Sequence, residues 1–196
     1  MTRSPLFLEV PERVEGPRVL LRPYVLEDAP ALRESVDESR EHLTPWMPWA
    51  ERSRSVEDAA ATILRSRARW ILREDLMMGI FERSTGRHLG GTGLHRMDWK
   101  LRGFEIGYWL RKTVEGRGFA TETVQVLTRM AFETLDAVRV EIRMDTRNHR
   151  SRVVPERLGF VHEGTLRNAS LGTDGTVCSI HVYALLREDF DRLQWR

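Results

Sequence analysis

The residues best placed to do chemistry lie between Glu115 and Leu135, in the run EGRGFATETVQVLTRMAFETL. It opens with Gly116-Arg117-Gly118 and passes without a break into a helical pattern. Gly118 has no side chain, so its backbone can approach a ligand closely or take a positive φ. Thr121 or the residue before it begins the helix, and Glu122 places a carboxylate in the first turn. Ala120, Val124, Leu127 and Ala131 share one helical face. A basic, glycine-bearing loop thus presents backbone N–H groups at a helix N-terminus, an arrangement that attracts anions and phosphate above all. We read it as a pyrophosphate cradle, although Gly-x-Gly before a helix also occurs as a plain tight turn. It is not a Walker loop, since no Gly-Lys-Ser/Thr follows, and Thr121 stands where the dinucleotide fingerprint needs its third glycine.

Three other places carry reactive or binding side chains. Thr146-Arg147-Asn148 reads as a loop, and Ser151 as the cap of a short helix through Leu158 that Gly159 ends. Pro155 then falls at the fourth helical position and forfeits about one hydrogen bond. Asn148 is suited to an Asx turn. In His42-Leu43-Thr44-Pro45-Trp46-Met47-Pro48-Trp49, two prolines predict extended or turned chain. Trp46 and Trp49 either cap the core or line a binding surface. The six histidines lack metal-ligand spacing and there is one cysteine, Cys178, so no metal is expected and no internal disulfide is possible.

The elements that must position these residues follow from periodicity. Val19 to Arg22 predicts a strand stopped by Pro23, and Glu27 to Glu38 a helix. Ser55 followed by Asp58 resembles a capping box and opens a second helix ending near Glu74-Asp75. Met77 to Glu82 and Leu89 to Met97 are strands around the turn Ser84-Thr85-Gly86-Arg87. Gly90, Gly91 and Gly93 in the second strand suggest close approach of another backbone. Phe104, Ile106, Tyr108 and Leu110 alternate with Glu105, Gly107, Trp109 and Arg111 in a strand that feeds the glycine loop. Val138, Val140, Ile142 and Met144 alternate with Arg139, Glu141, Arg143 and Asp145 in the strand after the helix. Strand, loop, helix and strand make a βαβ unit whose default crossover is right-handed. Phe160 to Leu171 and Thr176 to Leu186 read as a hairpin around Gly172-Thr173-Asp174-Gly175, with a short helical tail after Arg187.

With 196 residues, 41% hydrophobic and 31% charged, the chain reads as one globular domain spanning residues 1–196. A net charge of +2, from 31 basic and 29 acidic residues spread without runs, argues against a nucleic-acid binder. The basic residues are nearly all arginine, which suits bidentate pairing with carboxylate or phosphate, and a high-GC genome gives the same bias. Met1 to Val10 shows no signal-peptide pattern, and no stretch reaches the roughly 20 apolar residues of a membrane span. A reducing cytoplasm is the expected location, and Leu6-Phe7-Leu8 is a segment that can pack on a partner subunit.

The order of elements and these residues together resemble the GCN5-related N-acetyltransferases. Glu115-Gly116-Arg117-Gly118-Phe119-Ala120 resembles that superfamily's Gln/Arg-x-x-Gly-x-Gly/Ala motif, with Glu in the first position. Glu105-Ile106-Gly107-Tyr108-Trp109, Asn148-x-x-Ser151 with Glu156-Arg157-Leu158-Gly159-Phe160, and the Trp46/Trp49 loop are similar to its ribosomal-protein N-acetyltransferase branch. The likeness runs from Val19 to Phe190. It implies an α+β fold, a mixed and mostly antiparallel sheet flanked by helices with a V-shaped opening for acetyl-CoA. It implies acetyl transfer to an amine by direct attack, without a covalent enzyme intermediate. The pantetheine arm would lie between the strands at Tyr108, Trp109, Leu110 and at Arg139 to Met144. The pyrophosphate would sit on the N–H groups from Gly116 to Thr121, with Arg117 as charge partner and Asn148 holding the arm.

Roles follow from the same likeness. Glu105 matches the glutamate base of histone acetyltransferases in the superfamily, being ten residues before Glu115; its alternative is a solvated strand glutamate. The tyrosine acid of many members falls at Pro155, so Ser151 takes that role, as in the ribosomal-protein branch; its alternative is helix capping. The N–H near Trp109 would polarise the thioester carbonyl. The acceptor is expected to be a protein N-terminus, a ribosomal protein first, bound beside Trp46 and Trp49. A small amine, such as an antibiotic or polyamine, or a non-catalytic acyl-CoA-binding module are the alternatives. A homodimer is a family analogy.

Overall fold

The computed structural model describes residues 4–195; the first three residues of the Met1–Val10 segment and Arg196 lie outside them. Strands β1 (Val14–Glu15) and β2 (Val19–Arg22) lead through a short turn of helix at Leu26–Asp28 into α1 (Ala29–Leu43). Then come α2 (Trp49–Arg52), α3 (Val56–Ile71), β3 (Leu76–Glu82), β4 (His88–Asp98) and β5 (Gly103–Leu110). After the glycine loop follow α4 (Phe119–Arg129), β6 (Arg139–Asp145), α5 (His149–Leu158), β7 (Val161–Leu171), β8 (Val177–Leu186) and α6 (Arg187–Arg192). One eight-stranded sheet has the order β1-β2-β3-β4-β5-β6-β8-β7. Every pairing is antiparallel except β5 with β6, the βαβ unit read from the sequence.

The sheet buries both faces. Val140, Ile142 and Met144 of β6 share one core with Leu76, Met78 and Ile80 of β3, Val124 and Leu127 of α4, and Phe190 of α6. The other core gathers Leu32 and Val36 of α1, Ala50 of α2, Ala59 and Ile63 of α3, and Tyr24 and Phe81. Period-2 alternation sets the faces: on β6 the even positions are buried and the odd, charged ones half-buried.

Several boundaries differ from the sequence reading. The first helix runs to Leu43, because Leu32, Val36, Ser39 and Leu43 continue one buried stripe, and stops where Thr44 precedes Pro45. Trp49 opens a short helix rather than a purely extended segment. The Ser55–Asp58 capping box forms as read. Its helix ends at Ile71, short of Glu74-Asp75, because Arg73 turns left-handed (φ 59°) and donates to the Trp70 carbonyl. Gly118, not Thr121 or Ala120, is the N-cap of α4. Asn148, not Ser151, is the N-cap of α5: its side-chain oxygen accepts from the Ser151 N–H at 3.1 Å. That shift puts Pro155 in the seventh helical position rather than the fourth.

Candidate active site

Strands β5 and β6 pair only at Gly103–Arg139, Phe104–Val140 and Glu105–Glu141. Beyond Glu105 they separate, so the backbone of Ile106 to Leu110 faces a slot with no strand partner on that side. A cleft of about 950 Å³ follows this slot. It is lined by Glu105, Tyr108, Trp109, Asn148 and Ser151, and toward α1–α3 by Trp46, Trp49, Arg52 and Arg65. Most of the residues singled out from sequence meet here.

The glycine loop lies at the slot's end. Gly116 and Gly118 both take left-handed φ, 72° and 82°, which carries the chain into α4 without a Cβ penalty. No side chain caps α4, and its first helical bond runs from the Glu122 N–H to the Gly118 carbonyl. The N–H groups of Phe119, Ala120 and Thr121 are therefore left without helical acceptors, the donor set a pyrophosphate needs. Arg117 is exposed with no side-chain partner among the described residues. Arg18, which the sequence reading left unassigned, and Glu122, read there only as a first-turn carboxylate, shape this end. Arg18 donates to the Arg117 carbonyl at 2.9 Å and lies over the Phe119 ring at 4.8 Å. Buried Glu122 holds it, accepting from Arg18 Nε at 2.7 Å and from the N–H groups of Arg18 and Val19 at 2.6 and 3.0 Å. Glu115, the departure from the motif, is offset by Lys112 (3.1 Å) and Arg150 of α5 (2.8 Å), and the His42 ring, whose pKa desolvation lowers, lies 3.3 Å from it. The loop and the free backbone of Ile106–Leu110 fit a pyrophosphate-bearing thioester cofactor.

Alternation divides the chemistry between the two faces of the sheet. Glu105, Gly107 and Trp109 point toward α1–α3, whereas Tyr108 points toward α5. Glu105 is mostly buried; burial pushes its carboxyl upward, against the pull of Arg96 (2.9 Å) and Arg143 (3.7 Å). Its Oε2 has no aligned hydrogen bond. Trp49 packs on Trp109 with ring centroids 5.5 Å apart, so the Trp loop lines the cleft rather than only capping the core. Behind Trp109, buried His88 bonds Tyr24 and Ser35 at 3.0 and 2.7 Å, and desolvation lowers it to about 4.

On the opposite face the Tyr108 hydroxyl donates to the Ser151 carbonyl at 2.8 Å and lies 3.1 Å from Ser151 Oγ. Pro155, four residues after Ser151, has no N–H, so the Ser151 carbonyl lacks its helical donor. The tyrosine supplies one. Because Asn148 does the capping, the Ser151 hydroxyl is not needed for the cap and lies instead against the Tyr108 hydroxyl, which fixes its position. Burial raises Tyr108 to about 12, so it stays a phenol and a donor.

The close approach of another backbone expected at Gly90, Gly91 and Gly93 is met at two of the three. A Cβ at Gly90 would run into the Trp109 carbonyl oxygen, and one at Gly93 would lie 2.8 Å from the Leu76 carbonyl and 3.0 Å from the His95 ring, whereas one at Gly91 would meet the Trp109 indole. His95, absent from the sequence-based site, lines the cleft and pairs with Asp75 at 2.9 Å. Cys178 is buried on the same wall. Among the described residues no group of three or more His, Cys, Asp or Glu is placed to hold a metal, and no helix is long and apolar enough to cross a membrane.

Comparison with known proteins agrees with this geometry. The family model described as Acetyltransferase (GNAT) domain matches residues 18–161. A relative from Bacillus subtilis (strain 168), named "Putative ribosomal N-acetyltransferase YdaF", is 33% identical over 166 residues, 84% of this chain and 89% of its own. The ribosomal L7/L12 alpha-N-protein acetyltransferase RimL, solved with coenzyme A, superposes with a TM-score of 0.84 at 21% identity, covering 91% of this chain and 99% of that one. The microcin C7 self-immunity acetyltransferase MccE, solved with acetyl-CoA and AMP, gives 0.82 at 20% identity over 87% and 93%. At such identities the two structures speak for the fold alone. The chain belongs to the GNAT family, as an N-acetyltransferase with acetyl-CoA as its cosubstrate.

Proposed function

We propose that this enzyme acetylates the N-terminal amine of a protein, with a ribosomal protein the leading acceptor, in the cytoplasm. The observation that carries the reading is the broad cleft of about 950 Å³ on the Trp46/Trp49 side, where Arg52 and Arg65 have no ion-pair partner among the described residues. A polypeptide end with acidic neighbours suits that wall better than a small cation such as a polyamine. The name of the B. subtilis relative points the same way.

When bound, acetyl-CoA supplies an acyl thioester. The N–H groups of Phe119, Ala120 and Thr121 with Arg117 and Arg18 would hold its pyrophosphate, and the amide of Asn148 the arm. Glu105, whose carboxyl is pushed upward by its partial burial, accepts a proton from the acceptor nitrogen on one face of the sheet. Ser151, free of the helix cap, donates to the sulfur side on the other face. The sheet thus sets the proton acceptor and the proton donor on opposite sides of the slot.

A panel of Ser- and Ala-starting peptides, acidic and neutral, beside small amines including spermidine tests the acceptor by release of free thiol from acetyl-CoA. Peptide-only release with α-amine acetylation by mass spectrometry is expected; release with small amines alone overturns the reading. Glu105→Gln should lower turnover by about 10²–10⁴-fold while leaving coenzyme binding intact, and unchanged turnover would remove Glu105 from its role.

A further inference from the structure

His95 sits opposite Glu105 in the β4–β5 register and therefore projects from the same face of the sheet. Its Nδ1 lies 2.9 Å from Asp75 Oδ2. A carboxylate only accepts, so Nδ1 carries the hydrogen and the neutral ring keeps its lone pair on Nε2. Asp75 is itself buried, with Arg69 of α3 at 3.6 Å from the same oxygen. The ring's other edge lies over two glycines that face each other in the register, Gly93 and Gly107. A Cβ at Gly107 would stand 3.0 Å from Nε2 and 2.9 Å from Cδ2. Nε2 has no hydrogen-bond partner among the described residues, and the ring lines the cleft beside Glu105 and Trp109.

We propose that His95 is the catalytic residue that removes the first proton from the acceptor's ammonium group, with Asp75 as its positioning residue, and that Glu105 takes the second. The inference rests on the amine-acetylation reading above. An N-terminal amine titrates ordinarily at about 7.7–8.0, so near neutrality it arrives mainly as ammonium. It must lose one proton to expose its lone pair and another once the C–N bond has formed. His95 Nε2 presents an unshared lone pair to the cleft, whereas the Glu105 carboxylate is already held by Arg96 and Arg143, so the ring is the freer first acceptor. In this step an ammonium N–H bond breaks, its electron pair stays on nitrogen, and the proton bonds to Nε2. The imidazolium then passes the proton to water in the cleft. The charged groups around the ring are Asp75 and Glu105 on one side of the balance and Arg69, Arg96 and Arg143 on the other.

The test measures kcat/KM from about pH 6 to 9 for the unaltered enzyme, His95→Gln and Asp75→Asn. Two acceptors are used: a Ser-starting acidic peptide, and the same peptide starting with trifluoroalanine, whose amine is already neutral at pH 7. His95→Gln should lower kcat/KM for the Ser-starting peptide by about 10²–10³-fold at pH 7, recover as rising pH deprotonates it, and leave the trifluoroalanine peptide unaffected. Asp75→Asn should show a smaller loss with the same recovery. Equal losses with both acceptors, or none, would overturn the proposal. A readout without acceptor is the imidazole ¹⁵N spectrum: hydrogen on Nδ1 with bare Nε2 is expected, and hydrogen on Nε2 overturns the assignment. If the unaltered enzyme acetylates neither acceptor, the acceptor reading falls, and the ¹⁵N spectrum still decides the state of His95.

Discussion

Removal of the Tyr108 hydroxyl should be costly only because Pro155 is where it is. In α5 the Ser151 carbonyl has no helical donor, since the residue four positions on is a proline. The Tyr108 hydroxyl fills that gap at 2.8 Å and lies within 3.1 Å of Ser151 Oγ. Tyr108→Phe keeps the ring and deletes the donor. A part-buried carbonyl left unpaired costs about 1–2 kcal/mol, near the lower end for buried groups. For a chain of this size that lowers Tm by about 3–6 °C. Pro155→Ala restores an N–H aimed at the same oxygen, so in that background Tyr108→Phe should cost only about 0.5 kcal/mol. The double-mutant cycle, read by urea unfolding, should show a coupling of about 1 kcal/mol. The loss of a fixed Ser151 hydroxyl should also lower kcat by about tenfold with KM for acetyl-CoA little changed. An equal cost of Tyr108→Phe in both backgrounds would refute the idea that the tyrosine replaces the missing helical hydrogen bond.

Three further outcomes follow from the site. Gly118→Ala forces a side chain into a φ of 82° and places its Cβ 3.3 Å from the Arg18 guanidinium; we expect about 1 kcal/mol lost stability and roughly tenfold weaker coenzyme A binding by calorimetry. Glu122→Gln replaces one acceptor oxygen of a buried carboxylate by an amide donor, and urea unfolding should show a loss of about 2–3 kcal/mol. Buried His88 titrates near 4 when folded against an ordinary 6.5, so the unfolded chain binds the extra proton between these values. Stability from this residue is full above about 6.5, falls by about 3 kcal/mol as pH drops to about 4, and is flat below. His88→Gln should shrink the drop in stability between pH 7 and pH 4 by that amount; an unchanged drop would show that His88 is not buried neutral.

Much of the architecture is legible because periodicity is local. The strict alternation from Val138 to Asp145 predicts both the strand and its half-buried charged face. Gly118 takes the positive φ its missing side chain allows, and Gly116, for which no positive φ was expected, does the same. The site's cross-element contacts are less legible. Asp75 and His95 show why. The Ser84–Arg87 turn sets Phe81 opposite His88, and continuing that register would put Asp75 across from Leu94. A bulge between Ile80 and Phe81 slips the pairing by one residue, so that Leu76 faces Leu94 and Asp75 comes to His95. A slip of one residue exchanges the faces of a strand, and no turn residue announces it. The cap of α5 failed for another reason. Asn148 and Ser151 are both good caps, and only the Tyr108 hydroxyl, 43 positions away in sequence, makes use of a serine left free.

The central claim is that the thioester lies in the slot beyond Glu105, with a proton acceptor on one face of the sheet and a donor on the other. A crystal structure of the enzyme with coenzyme A tests it most directly. The account predicts the pyrophosphate on the N–H groups at the start of α4, the arm between Ile106–Leu110 and the end of β6, and the sulfur within hydrogen-bond reach of Ser151 Oγ. A sulfur remote from Ser151, or an arm lying outside the slot, would contradict it.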